Sequence, residues 1–240
     1  MNNNKNFLGT APVGKLLFKL AVPTLAAQLI NMLYNVVDRI YIGHIPGEGS
    51  LALTGVGVCM PIIMIVSAFA ALVSSGGAPR ASIYMGRQDN DSAEQILGNC
   101  FSLQIVVSLF LTVILLIFGK DLLLAFGASE NTIGYATDYM RIYAFGTLFV
   151  QLTLGMNAFV TAQGFTKISM FSVLIGAICN IVLDPVFIFG FHMGVKGAAL
   201  ATVLSQAIST IWVVLFLCGR KTQIRLRKAC LLLKAQGIVP

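Results

Sequence analysis

The chain has 240 residues, 57% of them hydrophobic and only 10% charged, with a net charge of +7 and a mean hydropathy of +0.87. Soluble domains carry about 25% charged residues, because polar groups must cover their surface. The composition therefore excludes a water-soluble globular protein and sets the class as integral membrane.

Apolar runs of about 20 residues, enough to cross a bilayer as a helix, fall at roughly 16–42, 51–76, 95–118, 134–161, 168–190 and 197–218. A closed barrel would instead show segments of about ten residues with alternating polarity, and no such alternation is present. The expected fold is all-α, with six transmembrane helices. It divides as a tail over 1–15, a six-helix lobe over 16–218 and a basic segment over 219–240.

Lys and Arg fix the expected orientation. With the N-terminus cytoplasmic, inner segments hold twelve of them (Lys5, Lys15, Lys19, Arg80, Arg87, Lys167, Arg220, Lys221, Arg225, Arg227, Lys228 and Lys234), against Lys120 and Lys196 outside. The expected location is the inner cell membrane, with both termini cytoplasmic. The positive charge then serves topology and anionic headgroups, and no nucleic-acid partner is expected. The tail MNNNKNFLGTAPVGK lacks the apolar core and cleavage site of a signal peptide.

The first span carries Gln28, Asn31, Asn35 and Asp38 within about 80° of one another on the helical wheel. Gln28, Asn31, Tyr34 and Asn35 are candidates to line a cavity. After the second span, SSGGAPRASIYMGRQDNDSAEQ reads as a helix ending near Gly76 and Gly77, a short amphipathic piece and a turn at Asp89 to Asp91. KDLLLAFGAS at 120–129 reads as an interfacial half-helix. Arg141, beside Asp138 on the fourth span, is expected to be structural.

On the fifth span Asn180 and Asp184 are four residues apart, on one face, with Pro185 next. Proline cannot donate to the carbonyl one turn back. The sixth span holds Thr202 and a stripe of small residues (Gly197, Ala201, Ser205, Ser209) that lets helices approach closely; the stripe reads as scaffold.

Depth ties the polar residues together. Asp38 lies five residues before Gly43, Asp184 six before Gly190 and Thr202 five after Gly197, all about 7–9 Å below the outer boundary. A carboxylate inside a membrane costs roughly 3 kcal/mol on insertion scales. Two that share a low-dielectric site cannot both stay bare, so the pair is expected to hold a proton or an inorganic cation among hard oxygen ligands. Mg²⁺, which keeps its waters and wants octahedral carboxylate ligation, suits it poorly.

Motifs of soluble enzymes are missing: there is no GxxxxGK[ST], HExxH or nucleophile elbow. The five cysteines form no CxxC pair and read as small apolar side chains. No enzyme activity, cofactor or transition-metal site is expected.

The stretches VPTLAAQLINMLYNVVDRIYIGH, SSGGAPRASIYMGRQDNDSAEQ, NIVLDPVFIFG and GVKGAALATVLSQ together resemble the multidrug and toxic compound extrusion (MATE) transporters over nearly the whole chain. The resemblance implies an antiporter that exports organic, often cationic, small molecules in exchange for Na⁺ or H⁺. It implies Asp38, Asn180, Asp184 and Thr202 as the cation site, and Pro23 as the point where the first helix bends. Members of that family carry two six-helix lobes, so the chain resembles an N-terminal half whose partner is a missing second lobe or a second copy. The competing expectations are a flippase for lipid-linked precursors from the same superfamily, which calls for a strongly basic cavity, and a non-transporting membrane fragment or scaffold.

Overall fold

The computed structural model describes residues 12–219 and 222–227. The expected tail, except Pro12 to Lys15, and the basic segment at 220–221 and beyond 227 lie outside the described residues. The described chain forms six helices: α1 (Val13–Gly43), α2 (Gly49–Gly86), α3 (Asn90–Ala125), α4 (Ile133–Ala162), α5 (Thr166–Pro185) and α6 (Val195–Cys218). A π-helical turn, Val186–Gly190, continues α5. All six are long and apolar enough to cross a membrane. Below, "outer" denotes the end with the α1–α2, α3–α4 and α5–α6 connections and "inner" the opposite end, after the orientation that the charges imply.

Two boundaries differ from the sequence reading. Helix α2 runs straight through Gly76, Gly77 and Pro79 to Gly86, because in a membrane helix glycine often marks close packing rather than an end. A Cβ on Gly77 would collide with Cys100 and with Phe159, 2.9 Å away. The turn comes at Arg87 to Asp89, with Gln88 at φ 63°. Asp89 then caps α3, accepting hydrogen bonds from the Ser92 amide (3.0 Å) and hydroxyl (2.7 Å), which hold its carboxyl below the usual range. The expected half-helix at 120–129 is instead the last turn and a half of α3, which ends at Ala125 before Gly127 turns the chain at φ 99°.

Helix α4 is the hub, packed against α2, α3 and α6. Two of its glycines make this possible. A side chain at Gly146 would strike Val203 of α6, and one at Gly155 would strike Gln104 of α3. Helix α1 is peripheral: it leans on α5 and touches α2 and α6 lightly. Only 6% of its apolar stretch is buried, against 61% for α4.

The interior holds two apolar clusters with a polar belt between them. The outer one includes Ile42, Val56, Leu123, Met140 and Tyr143, and the inner one Leu97, Met156, Phe159, Leu217 and Ile224. Between them Gln151 donates to the Val66 carbonyl (2.8 Å) and Gln104 to that of Ala70 (3.3 Å). Thr210 donates to Phe149 O (2.9 Å). In hydrocarbon such bonds satisfy polar groups that water cannot reach, and they tie α2 to α3 and α4, and α4 to α6.

At the inner end the residues after α6 fold back as a strap. Gln163, at the end of α4, accepts from the amides of Gln223 (2.9 Å) and Ile224 (3.1 Å). Glu94 of α3, only 3% exposed, accepts from Arg225 N (3.0 Å) and pairs with the Arg227 guanidinium (2.8 Å). Ile224 plugs the inner cluster with no exposure at all.

Candidate functional site

Asp38, Asn180, Asp184 and Thr202 meet near the outer ends of α1, α5 and α6. Asp184 is fully buried, Asn180 is 2% exposed and Asp38 6%. The Asn180 amide donates to Asp184 Oδ1 (3.2 Å) and reaches the Thr202 hydroxyl at 3.5 Å. The two carboxyl groups face each other within hydrogen-bonding reach. Their geometry follows from local structure. One turn of α5 sets Asn180 and Asp184 on a single face, and the turn beyond Pro185 widens to π spacing, with Phe191 N donating to Val186 O (2.9 Å). This widened turn packs on α6 at Gly197, where a Cβ would lie 2.7 Å from the carbonyl carbon of Phe187.

The donor inventory is unbalanced. Asp38 Oδ1, Asp184 Oδ2 and Asn180 Oδ1 are buried acceptors without a protein donor. Three orphan oxygens around a carboxylate pair suit a small hard cation, or a proton shared by the pair; they suit no soft metal. No group of three or more His, Cys, Asp and Glu with metal-holding geometry occurs among the described residues.

The cavity-lining expectations divide. Asn31 and Tyr34 line a cavity of about 60 Å³ beneath the carboxylates, together with residues of α4, α5 and α6. Gln28 and Asn35 do not. Gln28 is exposed, and Asn35 is engaged with its own helix, donating to Asn31 O (2.6 Å). The wheel explains the split. Tyr34, Asp38 and Asn31 occupy an arc of about 60°, whereas Asn35 and Gln28 sit about 60° and 80° from Asp38 on the margin turned away.

The stripe on α6 does more than expected. Gly197, Ala201, Ser205 and Ser209 are all buried in helix contacts, but Ser205 and Ser209 also line the cavity. Pro23 is buried inside a continuous α1. Asp138 pairs with Lys196 (3.4 Å), while Arg141 is exposed. Arg39 lies exposed with Val36, Ile40 and His44 at a groove between α1 and α2.

Sequence reasoning missed Tyr139 and Tyr143 of α4, 3% and 2% exposed. Their rings stack with centroids 6.3 Å apart. Tyr139 faces the Thr202 hydroxyl and Asp38. The signal was present in outline: an i, i+4 tyrosine pair begins six residues into α4, at about the depth of Asp38.

Six membrane-crossing helices, three of which bring a buried, oxygen-lined carboxylate pair together, define a polytopic membrane protein with an acidic centre inside its bundle. The chain belongs to the MatE family, whose family model matches residues 23–186. It is 29% identical over 202 residues to the multidrug export protein MepA of Staphylococcus haemolyticus (strain JCSC1435), a match that covers 84% of this chain and 44% of MepA. In fold it is similar to a MATE crystal structure in a bent conformation (24% identity, TM-score 0.85, 94% of this chain and 50% of that one). It is equally similar to a MOP superfamily transporter from Pyrococcus furiosus Vc1 (24%, TM-score 0.85, 93% and 49%), described as having a binding pocket of reversed polarity that suggests a different function. The chain thus spans about half the length of these relatives.

Proposed function

We propose that this six-helix lobe is the cation-coupling part of an exporter of organic, often cationic, small molecules, and that Asp38, Asn180, Asp184 and Thr202 bind the Na⁺ or H⁺ that drives it. The observation that carries the reading is the facing pair of buried carboxyls, each with an oxygen that no protein group satisfies. MepA's description as a multidrug export protein supports the substrate class. On this reading the lobe lies in the inner cell membrane with the α1 N-terminus cytoplasmic. The exposed side of α1 is covered by a second six-helix lobe or a second copy, and export runs through the space between.

A flippase for lipid-linked anions calls for cations in the cavity. No Lys or Arg lines the cavity beneath the carboxylates, so the drug/cation reading is the one retained.

The test is ion binding by the purified chain, with Na⁺ followed by calorimetry and proton release followed with a pH dye. The unsubstituted protein should show a saturable response to one of the two ions. Asp184→Asn, which keeps size but removes the charge, should weaken it at least tenfold while helix content stays unchanged, and Asp38→Asn should do the same. An equal response in both variants would refute the coupling site.

A further inference from the structure

Two tyrosines of α4 stand level with two polar residues of α1. Tyr139 lies six residues into α4 and Asp38 five before the outer end of α1, whereas Tyr143 lies ten into α4 and Tyr34 nine before that end. At 1.5 Å per residue the first two share a depth of about 7–9 Å and the second two a depth of about 13–15 Å. Tyr139 faces the Thr202 hydroxyl and Asp38. Tyr143 has no such partner: its ring stacks on Tyr139 with the planes 15° apart, and its hydroxyl is buried without a hydrogen bond. Its electrostatic neighbour is Tyr34 of α1, which in turn lies within the fields of Asp38 and Asp184.

A buried tyrosine hydroxyl ordinarily finds a partner, and phenylalanine would fill the same space without an idle polar atom. Stacking thus accounts for the ring of Tyr143 and leaves its oxygen without a use. The packing of α1 supplies one. Asp184 is steadied by Asn180 on its own helix (3.2 Å), but Asp38 Oδ1 has no protein donor, so the place of Asp38 depends on where α1 sits. That helix leans on α5 and barely touches α4. Tyr34, one turn below Asp38 and on the same face, is the handle by which α4 can hold it. The Tyr143 side is firm: Thr147 donates to Tyr143 O (3.4 Å), and Thr112 of α3 donates to Ala144 O (2.9 Å) beside it.

We propose that Tyr143 is a positioning residue for the carboxylate pair: its hydroxyl, through one ordered water, holds the Tyr34 hydroxyl and so docks α1 against the hub at the spacing where Asp38 and Asp184 share a cation or proton. The proposal rests on the reading of that pair as a cation site. A water is the fitting bridge, because no direct hydrogen bond reaches the Tyr143 hydroxyl and buried polar groups without a protein partner are ordinarily held by ordered water. Tyr34 borders the cavity of about 60 Å³, which leaves room for one.

The test compares Tyr143→Phe, which keeps the stacked ring and removes only the oxygen, with Tyr34→Phe and the double variant in the purified 240-residue chain. Ion affinity is read by Na⁺ calorimetry and by proton release to a pH dye, and the docking of α1 by hydrogen exchange over residues 31–38. Tyr143→Phe should lower affinity for the bound ion about three- to tenfold, the worth of one hydrogen bond. It should also speed exchange over that stretch, while exchange along α4 and the thermal midpoint stay as they were. Tyr34→Phe should do the same, and the double variant should lose no more than either single one. Tyr84→Phe, toward the inner end of α2, is the control and should show neither effect.

Unchanged exchange in Tyr143→Phe overturns the docking, and faster exchange with unchanged ion affinity overturns the positioning of the carboxylates. Additive losses in the double variant overturn the bridge between the two tyrosines. A thermal midpoint that falls together with affinity marks a packing role and overturns the proposal as well. Each of these results, beside ion binding by the unsubstituted chain, leaves the carboxylate site standing. If that chain binds neither ion, the cation site falls and the positioning role falls with it.

Discussion

A single hydrogen atom at Gly197 sets how α6 meets the turn that follows Pro185. A Cβ there would sit 2.7 Å from the Phe187 carbonyl carbon and 2.8 Å from its oxygen, backbone that cannot rotate aside. Gly197→Ala should cost about 1–3 kcal/mol, as overpacking does, and should weaken cation binding, because Asp184 and Thr202 stand on the two elements forced apart. Gly57→Ala is the control: nothing lies within 4 Å of a Cβ there, and alanine should be neutral or raise stability by about 0.4–1 kcal/mol. Thermal unfolding and ion titration of the two variants check both expectations. At this scale the meeting of the four candidate residues was legible because a buried acid or amide in an apolar span is rare and its depth can be counted. Tyr139 and Tyr143 were not, because tyrosine fits an apolar helix as comfortably as a polar site. Gln28 and Asn35 fall outside the cavity beneath the carboxylates because an 80° arc is wider than the face that α1 turns inward.

Helices are punctuated differently in a membrane. Gly76 and Gly77 read as a stop, yet α2 continues past them and Pro79; the same residue types end helices in water, where the chain can turn and be solvated, but here Gly77 lets Cys100 and Phe159 approach. The bend expected at Pro23 belongs to this scale. Pro23 withholds the N–H that would bond the Lys19 carbonyl, leaving α1 a weak point in its inner half. Pro23→Ala should restore that bond. Hydrogen exchange should then slow around residues 19–24, and any Na⁺- or pH-dependent change in exchange along α1 should shrink; unaltered exchange would remove Pro23 from the conformational cycle. Helix number and order were readable because each span carries its own hydrophobic length. The length of α3 and the π spacing after Pro185 were not, since both depend on what the neighbouring helices supply.

For the whole molecule the decisive contrast is between α4, enclosed on several sides, and α1, with 6% of its apolar stretch buried. The proposed cation site draws all four of its residues from one lobe, whereas alternating access needs two walls that rock against each other. The 240-residue chain should therefore bind its ion but move no drug. Reconstituted in liposomes as a monomer, it should show ion binding and no flux of a fluorescent organic cation. Flux from the monomer would overturn the two-wall picture, while flux that appears only on dimerisation would identify a second copy as the other wall. Hydropathy alone signalled a membrane protein here, and it could not signal which helix stays uncovered, because lipid and protein make the same demand on an apolar side chain.

The strap after α6 also puts the lobe's assembly in order of time. Glu94 enters the membrane early, at the start of α3, but its partners Arg225 and Arg227 are made more than 130 residues later. Until they arrive, a carboxylate that ends up 3% exposed has neither its guanidinium nor its amide, so the inner ends of α3 and α4 cannot close around it. Closure of these inner ends is therefore expected to wait for the strap. Chains cut back to Gly219 should insert all six helices yet remain open to protease between α2 and α3, and Glu94→Gln should relieve that defect by removing the charge that waits.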